Sequence, residues 1–175
     1  RVLDVEFLID QMLAASSAGE GLLSGSVDPE RIGVSGHSFG GFTALASVGG
    51  YTNELGTVPG DDRIDAVLAM APASELNSTE ELEAVDVPTL LVSGTKDETT
   101  PIDPDTERAW EYVSGRPLWR VDITDAGHQS FTDVCSYQEL LPSLDAPQLL
   151  IDAVDEYAEE GCVEELLPID EAHDL

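Results

Sequence analysis

The chain has 175 residues, with 36 acidic side chains against 7 basic ones and a formal net charge of -29. Such a surface repels a phosphate backbone, which excludes nucleic-acid binding as a function. Apolar residues make up 42% of the chain, enough for a packed core, and no apolar run reaches the ~20 residues of a membrane-spanning helix.

The first segment places Val5, Leu8, Ile9, Met12 and Leu13 at helical spacing. Arg31 to Ser35 reads as a short buried strand, and Gly41 to Val48 as a helix whose small residues allow close packing on a sheet. Between them lies Gly36-His37-Ser38-Phe39-Gly40. The stretch from Tyr51 to Asp62, with Gly56, Pro59 and Gly60, is expected to be a loop or a connection to the next strand, Ile64 to Met70. Pro72 to Val87 is too short for a large cap, so an open, shallow cleft is expected. Thr89 to Ser93 and Leu118 to Ile123 are the remaining strand-like runs. Ser130 to Pro168 is the longest stretch without clear periodicity and is expected to form part of the cleft wall. The stretch from Leu167 to Leu175 has the look of a helix start. Strands alternating with helices give an α/β class with a mostly parallel sheet.

Chemistry concentrates at the strand ends. A serine hydroxyl is a weak nucleophile at neutral pH and needs a sharp, exposed turn beside a base. Gly36 and Gly40 leave room for that turn around Ser38, and Phe39 is the residue that follows it. An orienting acid and a histidine should follow at later strand ends. Asp97 lies just past the third strand, in Gly94-Thr95-Lys96-Asp97, with Pro101 four residues on. His128 lies past the fourth, in Asp125-Ala126-Gly127-His128. Of the other two histidines, His37 adjoins the turn and reads as a packing or hydrogen-bonding residue, and His173 as a solvated one near the chain end. Glu98 competes with Asp97, whereas Asp103 and Asp105 read as acids at a helix N-terminus.

These segments, together with Gly127-His128-Gln129-Ser130-Phe131-Thr132-Asp133 and Cys135, resemble the bacterial α/β-hydrolases known as predicted dienelactone hydrolases. That group is similar to platelet-activating-factor acetylhydrolases and, more distantly, to cutinase-like polyester hydrolases. The resemblance implies a three-layer α/β-hydrolase sandwich of which strands five to eight are present. It implies one domain over residues 1–175, incomplete at the N-terminus and at the C-terminus, with the second oxyanion amide upstream of Arg1. It further implies a Ser38, Asp97, His128 triad with Phe39 in the oxyanion hole, acting on a small-molecule or polymeric carboxylic ester without cofactor or metal. True dienelactone hydrolases use cysteine, so the serine here points to ester hydrolysis rather than that reaction. A serine peptidase or amidase of the same fold, or a noncatalytic binding domain, are the alternatives. Oligomeric state is not legible.

Cys135 and Cys162 enclose a segment just after His128. In an exported protein they would bridge, contributing roughly 3 to 4 kcal/mol on the chain-entropy account; in a cytoplasmic one they would be two buried thiols. Their even number favours the bridge, and with it a secreted or periplasmic location. Asp152, Asp155, Glu156, Glu159 and Glu160 cluster carboxylates but lack calcium-loop spacing, so no metal site is expected. Lys96 is the only lysine. This self-repelling balance is the one associated with halophiles. Thermal stability should rise steeply between low and molar sodium chloride, past the point where screening has a range of about 3 Å; a flat melting temperature across that range removes the halophile reading.

Overall fold

Residues 1–163 and 165–167 are described by a computed structural model. The elements run α1 (Val2–Ser17), β1 (Gly33–His37), α2 (Phe39–Gly49), β2 (Tyr51–Asn53), β3 (Gly56–Val58), β4 (Ala66–Met70) and α3 (Thr79–Glu83). They continue β5 (Thr89–Gly94), α4 (Glu107–Tyr112), β6 (Leu118–Ile123), α5 (Val134–Leu140) and α6 (Gln148–Ala158). Apart from Leu167, the expected C-terminal helix start, with His173, lies outside the described residues.

Four strands form a parallel sheet in the order β1, β4, β5, β6. Consecutive neighbours joined by helical crossovers give parallel pairing, and the register aligns His37 with Met70, Met70 with Val92, and Gly94 with Ile123. The carboxyl ends of all four strands therefore share one edge. The α/β class, the parallel sheet and its flanking helices agree with the sequence reading, with β1 shifted to Gly33–His37 so that it runs into the Gly36-His37-Ser38 turn.

The two sheet faces are covered unequally. Val67, Ala69 and Leu91 point into a core closed by Ala44 and Leu45 of α2, Leu82 of α3, Val85, and Ala109 of α4 with Val113 after it, all buried. The alternate residues Leu68, Met70, Leu90 and Val92 are only half-buried. Helix α3 is short but well started: Ser78 Oγ accepts from the Glu81 amide at 3.1 Å, and the Glu81 carboxylate accepts from the Ser78 amide at 2.9 Å. Helix α1 is tied down by Arg63, whose guanidinium reaches Asp10 at 2.6 Å and Asp61 at 2.5 Å.

Two stretches differ from the sequence reading. Tyr51 to Val58 is an antiparallel hairpin, not a loop; Tyr51 pairs with Val58 and Asn53 with Gly56. Its turn residues Glu54 and Leu55 carry no Asn-Gly or Asp-Gly signal, and the positive φ of 135° at Gly56 supplies the needed geometry. The stretch after Ser130 is also ordered, carrying α5 and α6 packed on each other and the Cys135–Cys162 disulfide.

Leu91 is fully buried at the centre of the sheet. Replacing it with alanine should destabilise the chain by about 2 to 5 kcal/mol in urea unfolding; a loss within experimental error would show that this core does not hold the sheet.

Candidate active site

The turn after β1 is forced by close packing. A Cβ on Gly36 would sit 2.2 Å from the Gly40 carbonyl oxygen, and one on Gly41 2.8 Å from Pro72 Cα. Ser38 itself adopts φ 58° and ψ -122°, a left-handed backbone that costs a non-glycine residue free energy and marks functional turns. The strain is held by hydrogen bonds at both ends of the residue. Its amide donates to Met70 O at 2.9 Å, and its carbonyl accepts from Gly41 at 2.9 Å and from Phe42 and Ala73 at 3.2 Å each. Phe39 opens α2, so its amide has no carbonyl one turn behind it and is free to serve as a donor. The Phe39 ring is exposed.

Asp97 and His128 come together from the ends of β5 and β6. Both are buried, and His128 Nδ1 lies 2.8 Å from Asp97 Oδ2. The other carboxylate oxygen, Oδ1, accepts from the Thr99 amide at 2.9 Å and the Thr100 amide at 2.8 Å. Burial alone would raise the Asp97 pKa, but the hydrogen bonds from His128 and Thr100 outweigh it and hold the carboxyl below its ordinary value. Among the described residues Ser38 Oγ makes no hydrogen bond within 3.5 Å. Such contacts are often long before substrate binds.

The rival residues take other places. Glu98 is exposed and makes no bond to His128, which answers to Asp97. Asp103 is exposed, at a kink with non-helical backbone. Asp105, expected as a helix N-terminal acid, lies in the first turn of the helical segment Ile102–Thr106 and is also buried, its carboxylate accepting the Glu75 amide at 2.9 Å; burial raises its pKa. It joins the loops after β4 and β5. His37, expected to pack or hydrogen-bond, has Nε2 2.8 Å from the His128 carbonyl and its ring 4.6 Å from the His128 ring. Burial, and then His128, lower its pKa, so it is the neutral ring donating Nε2–H.

Sequence reasoning missed two contributors. Thr100 is buried with Oγ1 within hydrogen-bond distance of both Asp97 and His128. A hydroxyl three residues past the acid and next to Pro101 was the available signal. The second is the part that residues 160–163 and 165–167, expected only as cleft wall, play in backing the His128 loop. Glu160 O accepts from the Gln129 amide at 3.0 Å, Leu167 donates to Asp125 O at 2.8 Å, and a Cβ on Gly127 would lie 2.4 Å from Glu160 O. The Cys135–Cys162 bridge fastens this segment to α5.

The PET hydrolase-like family model matches residues 3–138, which include Ser38, Asp97 and His128. The chain belongs to this family. Among curated proteins, none matches the sequence. Solved structures similar to this PET hydrolase-like chain include an acylaminoacyl peptidase of Pyrococcus horikoshii, 14% identical with a TM-score of 0.55, covering 98% of this chain and 29% of that one. A puromycin-hydrolyzing peptidase of Mycobacterium tuberculosis is 19% identical with a TM-score of 0.50, over 69% and 22% of the two chains. A variant of SOBER1 from Arabidopsis thaliana is 20% identical with a TM-score of 0.51, over 73% and 54%. At these identities the likeness shows the α/β-hydrolase fold, and the chain spans between about a fifth and about half of these neighbours' lengths.

The depressed Asp97 pKa fixes a sign. Its folded value lies below the ordinary 3.8, so the stability it contributes is present above pH 3.8 and is lost as pH falls through the lowered value. The melting-temperature difference between wild type and Asp97→Asn should be full above that pH and shrink below it. A difference that stays constant into acid would show that Asp97 is not ionised in the fold.

Proposed function

We infer that the chain is a serine hydrolase that cleaves carboxylic esters through an acyl-enzyme on Ser38. The observation that carries this reading is the buried Asp97–His128 pair, with Nδ1 and Oδ2 2.8 Å apart, at the same sheet edge as a serine on a left-handed turn. The Asp97 carboxylate accepts Nδ1–H, which leaves Nε2 free to act as base. His128 takes the proton from Ser38 Oγ as the oxygen bonds to the ester carbonyl carbon. The Phe39 amide donates to the resulting oxyanion. The imidazolium, steadied by Asp97, gives its proton to the departing alkoxide, and the acyl group stays on Ser38. Water then attacks by the same route in reverse, releasing the acid and the free serine.

Esters are the favoured substrates because the family is PET hydrolase-like, and polymeric esters fall within the reading. A peptidase reading is kept because two of the similar structures are named as peptidases. The same residues would serve either. The Cys135–Cys162 bridge supports an exported, oxidising location.

Turnover of a short-chain p-nitrophenyl ester should exceed that of the matching p-nitroanilide, and the reverse order would favour the peptidase. Ser38→Ala or His128→Ala should lower ester turnover about 10⁴-fold or more, with Asp97→Asn costing about as much or somewhat less. Retained activity in Ser38→Ala overturns the nucleophile. A mild Asp97→Ala beside a severe Glu98→Ala overturns the acid.

A further inference from the structure

The Thr100 side chain occupies a position that the triad chemistry above does not use. Its Oγ1 lies 3.0 Å from Asp97 Oδ2, 3.2 Å from His128 Nδ1 and 3.0 Å from the carbonyl oxygen of Ala71, and the residue is buried. Its amide also donates to Asp97 Oδ1 at 2.8 Å. One residue thus touches both carboxylate oxygens of Asp97, the ring nitrogen that faces them, and the end of a different strand. Ala71 is itself held at φ 42° just past β4, so the hydroxyl reaches a carbonyl presented by a strained turn.

The hydrogen inventory narrows what the hydroxyl can do. Asp97 Oδ2 and Ala71 O only accept, and Oγ1 has one proton to give. Whichever takes it, a lone pair of Oγ1 remains on the side of Nδ1. A protonated Nδ1 meets acceptors there, at Oδ2 and at Oγ1. A bare Nδ1 would face the carboxylate lone pairs at 2.8 Å, which is repulsive. The hydroxyl therefore favours the tautomer with hydrogen on Nδ1, and it fixes the Asp97 rotamer against β4 at the same time.

We propose that Thr100 is a positioning residue for the hydrolytic site, acting through its hydroxyl to hold Asp97 and to select the Nδ1–H tautomer of His128. This rests on the serine hydrolase reading, and it concerns a residue that does not touch the substrate. Removing the hydroxyl leaves Asp97 held by the amides of residues 99 and 100 on Oδ1 and by Nδ1–H as the one donor on Oδ2. The carboxylate then attracts the imidazolium more strongly, so the acid limb of the rate profile moves to higher pH.

The test compares Thr100→Val, which keeps the shape and deletes the hydroxyl, with Thr100→Ser, which restores it. Thr100→Val should lose roughly tenfold in kcat on a p-nitrophenyl ester, the scale of one hydrogen bond to a charged group, with KM nearly unchanged and the acid limb raised. Thr100→Ser should return kcat and the acid limb to wild type. Wild-type kcat and acid limb in Thr100→Val, a loss confined to KM, or equal impairment in Thr100→Ser overturns the proposal. A second readout does not depend on turnover. The chain has three histidines, so ¹⁵N NMR resolves the His128 ring, which should be a single Nδ1–H tautomer in wild type and a mixture in Thr100→Val. An unprotonated Nδ1 in wild type overturns the proposal even if no ester is cleaved, and it does so whether or not Thr100→Val folds. Absence of ester turnover with the expected tautomer instead removes only the ester reading.

Discussion

Parallel register governs this molecule. Because β1, β4, β5 and β6 all run the same way and are aligned at their carboxyl ends, every loop leaving the sheet on that side starts from nearly the same line. Ser38 follows β1, Ala71 follows β4, Asp97 follows β5 and His128 follows β6. His37 and His128, 91 positions apart in the chain, meet with no long excursion. A slip of one residue in any pair would turn inward side chains outward and separate the loops, so the apolar residues that set the register, Val67, Ala69 and Leu91, also set the site.

The backbone shows where this arrangement is under load. Ser38, Ala71 and Asp125 are non-glycine residues with positive φ, and each lies within two residues of the carboxyl end of a sheet strand. Such conformations persist only where surrounding bonds over-determine them. At Ser38 these are the bonds to Met70, Gly41, Phe42 and Ala73. At Ala71 they are the amide bond to Val92 and the Thr100 hydroxyl. At Asp125 they are the amide bond to Thr95 Oγ1 and the carbonyl bond from Leu167.

Legibility in the sequence followed the range of the interactions. The four sheet strands, α1 and the strand-end residues Ser38, Asp97 and His128 were visible because apolar periodicity and strand-end position are local signals. Asp97 could be ranked above Glu98 only by loop placement; the burial of one and exposure of the other depend on which way two adjacent side chains face, which spacing does not encode. The place of Asp105 in a first helical turn was legible, but its burial against the Glu75 amide was not, because that partner is 30 positions away. The hairpin at Tyr51 to Val58 escaped because strands of three residues give too little alternation to stand out, and its turn lacks the usual residues. Thr100 carried a weak signal, a hydroxyl beside a proline, whose meaning appears only when Ala71, Asp97 and His128 converge on it.

The late position of the residues that back the His128 loop bears on the order in which the protein can be made. During synthesis the chain leaves the ribosome from its N-terminus, and domains begin to form before the end has emerged. The whole parallel sheet is available once Ile123 is out, and the His128 loop follows at once. Its backing from Glu160 O, the Leu167 amide and Cys162 arrives only some 30 residues later. The Ser38 turn and the His128 loop thus both leave the ribosome before the residues that back that loop.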